Sequence, residues 1–389
     1  MTSSWVGRRF EVEVGPVAHG GHCVARHDGR VVFVRHTLPG ERVVVAVTED
    51  RGGSFCRGDA VSVLVAAPER VEPPCPVAAP GGCGGCDWQH ATPAGQRALK
   101  AAVVAEQLRR LAHLEMEVEV EELPGGPLHW RTRTRLAVGD DGRPGFRAHR
   151  SHRIVAVDDC PIAAPGTVDA VVGRSWPPGA ELSVAVDSTA HTHVAVDGLA
   201  GGVAVERAVR REWRVAANSF WQAHPDSADL YAEVVAGWSG LAEGDSAWDL
   251  YAGAGLFAAV LAEQVGPSGS VMAVESYRPA AEDGAENLAD LPQVRVFAGR
   301  VEAVLAAGEG PDPRAVVLDP PRKGAGRAVV DAIAARGAAR VVYVACDPAA
   351  LARDVSIFAG HGYRLDGLRA FDSFPMTHHV ECIALLVQH

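Results

Sequence analysis

The stretch "DLYAGAGLFAAVLAEQ", Asp249 to Gln264, runs from a short apolar strand through a glycine-rich turn into an apolar helix. Glycines at 253 and 255 let backbone approach a ligand at the start of that helix, where unpaired N–H groups gather. Glu275 closes the next apolar strand, "SVMAVE", twenty residues after Gly255. A carboxylate there commonly takes the two hydroxyls of a bound ribose. Further short apolar strands follow: "VRVFAG", "AVVLDPP", "RVVYVAC" and "CIALLVQ", most of them separated by helical stretches. That alternation predicts an α/β, doubly wound, mostly parallel sheet of Rossmann type from about residue 216 to 389. The turn alone fits NAD as well as S-adenosylmethionine, since Ala258 completes a dinucleotide fingerprint.

The later strands break the tie. "VVLDPPRKGAG" (316–326) sets Asp319 and two prolines at the C-terminal end of a strand, where ligands bind in such sheets. "YVACDPAALARD" (343–354) sets Cys346 at the end of another, and "HHVECIALL" (378–386) places Glu381 at the start of the last. An isolated cysteine in an apolar strand is ordinarily core, and Cys382 is read that way. Cys346 differs because Asp347-Pro348 stops the strand beside it. A cysteine, a carboxylate and a methyl donor are what methylation of uracil carbon 5 requires. The thiolate adds to carbon 6, the resulting enolate takes the methyl group, and a base removes the carbon 5 proton. S-adenosylmethionine is therefore the predicted cofactor.

Residues 8–66 show alternating strands with turns every 8 to 12 residues, the pattern of a small β-barrel. A proline-rich break, "PERVEPPCP", follows. "TPAGQRALKAAVVAEQLRRLAHL" (92–114) reads as a helix with Thr92 as N-cap and Pro93 in its first turn. Strand-like pieces between 115 and 215 predict a mainly β central domain. The predicted divisions are thus 1–67, 68–215 and 216–389. At 389 residues, 48% hydrophobic and 22% charged, the composition is that of a globular protein. No apolar run reaches the ~18 residues of a membrane span. The start, "MTSSWVGRRFEVEV", has no secretory pattern, so a cytoplasmic location is expected. The net charge of −11 argues against a general nucleic-acid coat.

Taken together, these residues resemble the RNA 5-methyluridine (uracil-C5) methyltransferases. "NSFWQ" (218–222), "DLYAGAGLF", "VVLDPPRKG", "CDPAALARD" and "HHVE" stand in that family's order along essentially the whole chain. The resemblance implies an N-terminal TRAM (OB-like) RNA-binding barrel, Cys346 as nucleophile and Glu381 as base. It also implies that Gln222, Tyr251, Gly253, Gly255, Glu275 and Asp319 bind S-adenosylmethionine. Two positions depart from the pattern: Asp347 and Leu256 stand where the family usually has asparagine. The expected substrate is RNA, 23S rRNA favoured over tRNA, with no protein partner implied and a monomer expected. Two alternatives remain: a methyltransferase acting on another acceptor, and a non-catalytic RNA-binding protein that keeps the fold.

"CPVAAPGGCGGCDWQH" (75–90) carries Cys75, Cys83 and Cys86, and "DDCPI" (158–162) supplies Cys160. In a reducing compartment such a cluster reads as a metal site. Four thiolates suit a structural zinc or an iron–sulfur cluster, and spacing alone leans to zinc. The resemblance instead implies a 4Fe–4S cluster, as in the 23S rRNA-directed members, acting as a staple rather than in catalysis. Finally, residues 129–153 hold seven arginines against two aspartates. Arg131, Arg133 and Arg135 alternate as on one strand face, an expected row for RNA phosphates. Arg322 and Lys323 are expected near the active site.

Overall fold

The computed structural model describes residues 4–199 and 201–389. Its first unit is a six-stranded sheet of β1 (Arg9–Glu13), β2 (Val17–Ala18), β3 (His22–His27), β4 (Arg30–Arg35), β5 (Arg42–Glu49) and β6 (Phe55–Val65). The strands lie in the order β1-β5-β6-β4-β3-β2. Inward valines of each alternating strand, among them Val32, Val34, Val43 and Val45, form its core. Helix α1 (Pro93–Gln107) starts as the sequence predicts: Thr92 Oγ1 accepts from the Gly95 amide at 3.1 Å. One π-helical turn prolongs it through Ala112.

The middle of the chain holds β7 (Val120–Glu122), β8 (Arg133–Val138), β9 (Pro144–Arg147), β10 (Ile154–Ala156), β11 (Glu181–Val186) and β12 (Thr192–Val196). The last five form one sheet, ordered β10-β9-β8-β11-β12. A separate hairpin of β13 (Val203–Ala208) and β14 (Arg211–Ala216) leads into the C-terminal unit.

That unit alternates α2 (Ser227–Ser239), β15 (Ser246–Leu250), α3 (Leu256–Val265), β16 (Ser270–Glu275), α4 (Arg278–Asn287), β17 (Val294–Ala298) and α5 (Val301–Ala306). It continues with β18 (Ala315–Leu318), α6 (Arg327–Ala335), β19 (Arg340–Ala345), α7 (Pro348–Ala359), β20 (Tyr363–Asp372) and β21 (Glu381–Gln388). Its sheet runs β17-β16-β15-β18-β19-β21-β20-β7. The five central strands β15 to β19 are parallel and β21 is antiparallel to β19. From β15 the chain winds outward to β17, then returns to β18 on the other side. The strand order therefore reverses between β15 and β18, the position where such sheets open a ligand crevice. Apolar helices cover both faces, so the central strands read as nearly unbroken hydrophobic runs. The edge strand β7 comes from the middle of the chain and pairs with β20 in parallel. Among the described residues no helix is long and apolar enough to cross a membrane.

Candidate active site

The glycine turn sits at the crevice. Gly255 has φ +95°, and a Cβ there would meet Leu288 Cδ1 at 2.6 Å, so both backbone and packing demand glycine. Around the Cβ position of Gly253, by contrast, nothing lies within 4 Å. Glu275 is tied to this turn: its Oε2 accepts from the Gly253 amide at 3.0 Å and its Oε1 from the Tyr277 amide at 2.6 Å. Tyr251 holds a left-handed φ of +70°, with its amide bonded to Val274 O. Asp319 leaves β18 beside Leu250, whose carbonyl accepts its amide at 3.2 Å. The turn, Glu275 and Asp319 thus border one crevice. Gln222 lies half-buried between β14 and α2 and makes no hydrogen bond to Tyr251, Glu275 or Asp319.

Three carboxyls here are starved of solvent and of cations. Burial raises Asp249 to about 8, opposed only by the Ala258 amide. Burial, then the charge of Glu275, raises Asp319 to about 7. Burial, then Asp319, pushes Glu381 well above the usual carboxylate range. The charges acting on these groups are those of other carboxylates. A cation beside these carboxyls favours their charged forms, and the sulfonium and ammonium groups of S-adenosylmethionine supply one.

Cys346 is half-buried at the end of β19, and burial raises its thiol to about 12. Glu381, Asp319 and Asp347 add to that rise, while Arg322 opposes it. Ala345 pairs with Cys382 at the end of the β19–β21 register, so Cys346 follows and Glu381 precedes that last pair, and the Glu381 charge reaches the thiol. Cys382 itself is fully buried in the core.

Comparison with known proteins accords with this geometry. Residues 4–61 match the TRAM domain model, and residues 312–389 match the tRNA (Uracil-5-)-methyltransferase model. The chain is 47% identical to an uncharacterized RNA methyltransferase of Streptomyces coelicolor, covering 98% of this chain and 93% of that one. It is 37% identical to another from Corynebacterium glutamicum, covering 98% and 97%. In fold it is similar to the tRNA (uracil-54, C5)-methyltransferase of Pyrococcus abyssi bound to S-adenosyl-L-homocysteine. The TM-score is 0.73 at 22% identity, over 97% of this chain and 100% of that one. The chain belongs to the RNA (uracil-5-)-methyltransferase family.

The methyltransferase is thus an S-adenosylmethionine-dependent enzyme of RNA, with the TRAM barrel at its N-terminus. Its four predicted metal-ligand cysteines, Cys75, Cys83, Cys86 and Cys160, line one pocket together with Arg131 and Met376. Gln89 closes that knuckle, accepting from the Cys75 amide and donating to the carbonyls of Cys75 and Ala78. Cys83 bridges to Ala148 of the central unit. Among the described residues, however, no group of three or more His, Cys, Asp or Glu side chains is arranged to hold a metal ion. The quartet converges on one pocket without forming a single-ion cage.

The expected arginine row is corrected. Arg133 turns inward, donating to Glu206 Oε1 at 2.8 Å and to the carbonyls of Ala217 and Ser219. Arg131 donates to the Arg133 carbonyl, and Arg143, Arg147 and Arg150 pair with Asp158, Glu181 and Glu49. Strand alternation gives the face but not the acids that other segments bring to it. Arg135, Arg322 and Lys323 remain exposed.

Sequence reasoning also missed Asp87, which follows Cys86. Its Oδ2 accepts from the ring and amide of His378, and its Oδ1 from Arg35 at 3.2 Å. It joins knuckle, barrel and the approach to Glu381. An acid directly after a predicted ligand cysteine, with a His-His pair just before the predicted base, was the available signal.

Proposed function

We propose that this methyltransferase acts on carbon 5 of a uridine, in 23S rRNA rather than tRNA, by covalent catalysis. The adjacency of Cys346, Glu381 and Asp319, whose charges act on one another, carries this reading. Bound S-adenosylmethionine supplies a methyl group activated by its sulfonium. Glu275, Tyr251, Gly253, Gly255, Asp319 and Gln222 would hold it. The Cys346 sulfur bonds to carbon 6, moving the 5,6 electron pair toward oxygen 4. Carbon 5 takes the methyl group, Glu381 removes the carbon 5 proton, and re-forming the double bond expels the thiolate. Burial keeps the Cys346 thiol protonated in the free site and favours the neutral form of Glu381. A cationic ligand favours both anions, with the protons passing to solvent, and so favours Glu381 as base.

The cysteine quartet supports the 23S rRNA preference through the resemblance to cluster-bearing members. The similar Pyrococcus abyssi enzyme, by its name, acts on tRNA uracil 54, which makes tRNA the second arm of the test. We assign the quartet to a 4Fe–4S cluster on the resemblance to cluster-bearing members alone, since spacing by itself leans to zinc and four thiolates suit either. Its role is structural, as methyl transfer through a thiolate consumes no electron.

The experiment is mass mapping of 23S rRNA and tRNA from a strain lacking the gene. One uridine should lose its 5-methyl group and regain it with wild-type protein but not with Cys346→Ala. No missing methyl in either RNA would overturn the assignment.

A further inference from the structure

The barrel reaches the catalytic turn directly. Between β2 and β3 the chain makes a tight tip, His19-Gly20-Gly21, with both glycines at positive φ. Gly21 is pressed onto the Asp87–His378 pair: a Cβ there would meet Asp87 Cγ at 3.0 Å and His378 Cβ at 3.1 Å. With the tip seated so, His19 Nε2 donates to Asp347 Oδ2 at 3.1 Å. Asp347 directly follows Cys346. Its other oxygen, Oδ1, accepts from the amides of Ala349 and Ala350 at 3.0 and 2.9 Å, capping α7. One carboxylate therefore fixes the helix that starts beside the thiol and receives a bond from a domain 328 residues away in sequence.

We propose that His19 is a positioning residue for Cys346: through Asp347, the docked RNA-binding barrel holds the nucleophile's turn in its reactive setting. The inference rests on the reading of Cys346 as nucleophile. Two effects run through the bond. It fixes the first turn of α7, and hence the backbone from which the thiol projects. It also sets a histidine donor against a carboxylate that otherwise faces the thiol uncompensated, and an uncompensated anion disfavours thiolate. Both side chains are partly exposed, 37% and 22%, so the contact is worth a modest factor rather than the whole rate.

The test uses the full-length protein with His19→Ala, His19→Gln, Asp347→Asn and the His19→Ala/Asp347→Asn double variant. Asparagine keeps the helix cap, and glutamine keeps an N–H donor. Two readouts are taken: alkylation of Cys346 by iodoacetamide, followed by peptide mass mapping without RNA or cofactor, and kcat against KM on the RNA substrate. His19→Ala should slow Cys346 alkylation and lower kcat by about threefold to tenfold, leaving KM for RNA within about twofold. His19→Gln should recover part of that loss. The double variant should be no slower than Asp347→Asn alone, as expected for two groups acting through one contact. A raised KM with kcat and alkylation unchanged would make His19 an RNA contact and overturn the proposal. So would losses that multiply in the double variant. The alkylation arm needs no methyl transfer, so a wild-type protein that failed to methylate uridine would count against the assigned reaction and leave the His19 contact separately decided.

Discussion

Cys346 and Glu381 flank the last register pair of two antiparallel strands, Ala345 of β19 and Cys382 of β21, and the Glu381 charge acts on the thiol. The first group follows the end of one strand and the second begins the next; Cys346 is half-buried and Glu381 buried. In the proposed reaction they act at opposite ends of the sequence: the thiol opens it and the carboxylate closes it. Glu381→Gln should therefore stop turnover after methyl transfer and accumulate a methylated RNA–protein adduct, visible as a shifted band on a denaturing gel. Turnover should fall about 10²- to 10⁴-fold. Cys346→Ala should give neither product nor adduct. Equal inactivity of the two variants without any adduct would count against Glu381 as the base.

The buried acids make a pH prediction whose sign is fixed. Asp249 titrates near 8 in the folded protein, against about 4 in an unfolded chain. Above pH 4 the unfolded state sheds a proton that the folded state keeps, so this group destabilises the fold increasingly as pH rises toward 8. Asp249→Asn removes that dependence. Its stability relative to wild type should rise steadily from pH 5 to pH 8 by on the order of a few kcal/mol, read as a growing difference in melting temperature. Parallel melting curves for the two proteins would show that Asp249 is not the group held neutral.

The same acids set how the cofactor binds. Asp319, near 7, and Asp249 ionise more readily beside a cation. Affinity for S-adenosylmethionine should rise between pH 6 and pH 8, with protons released to buffer on binding. S-adenosylhomocysteine, whose sulfur is neutral, should show a smaller rise. Calorimetry in two buffers of different ionisation enthalpy measures both. Equal pH slopes for the two ligands would mean that the carboxyls do not sense the sulfonium.

Much of this was legible in the sequence, for identifiable reasons. The parallel sheet was, because each buried strand is an apolar run ending in a chemically marked turn: Gly253 and Gly255, Glu275, Asp319, Cys346. The α1 start was, because Thr92-Pro93 is a local signal. What local pattern could not carry were contacts made across the chain. Of "EMEVEVEEL" only Val120–Glu122 forms a strand, and it finds its partner 250 residues on, at β20. Arg133 looked like a phosphate ligand because Glu206 is invisible from its neighbourhood. His19 and Asp347 each sit in an unremarkable turn, and only the docking of the barrel joins them.

The cysteine quartet separates metal from no metal without reference to activity. Protein purified and reconstituted anaerobically with iron and sulfide should hold about four of each per chain and absorb in the visible. Cys160→Ser should lose most of both, along with solubility and RNA affinity, before kcat changes. Stoichiometric zinc in place of iron would sink the cluster assignment.

A buried ion pair holds the approach to Glu381. Lys100 on α1 is fully buried, donating to Asp372 at the end of β20 and to the Phe374 carbonyl at 3.0 Å. β20 in turn pairs with β21, Phe371 facing Glu381. Lys100→Met removes the cation and leaves Asp372 buried without it, which costs about 3–5 kcal/mol. Lys100→Met/Asp372→Leu removes both charges and should recover most of that loss. If the ion pair served only stability, the double variant would also recover full kcat. If it sets the register from which Glu381 projects, kcat should stay depressed at restored stability. Denaturant melts and kcat measured on all three proteins distinguish the two.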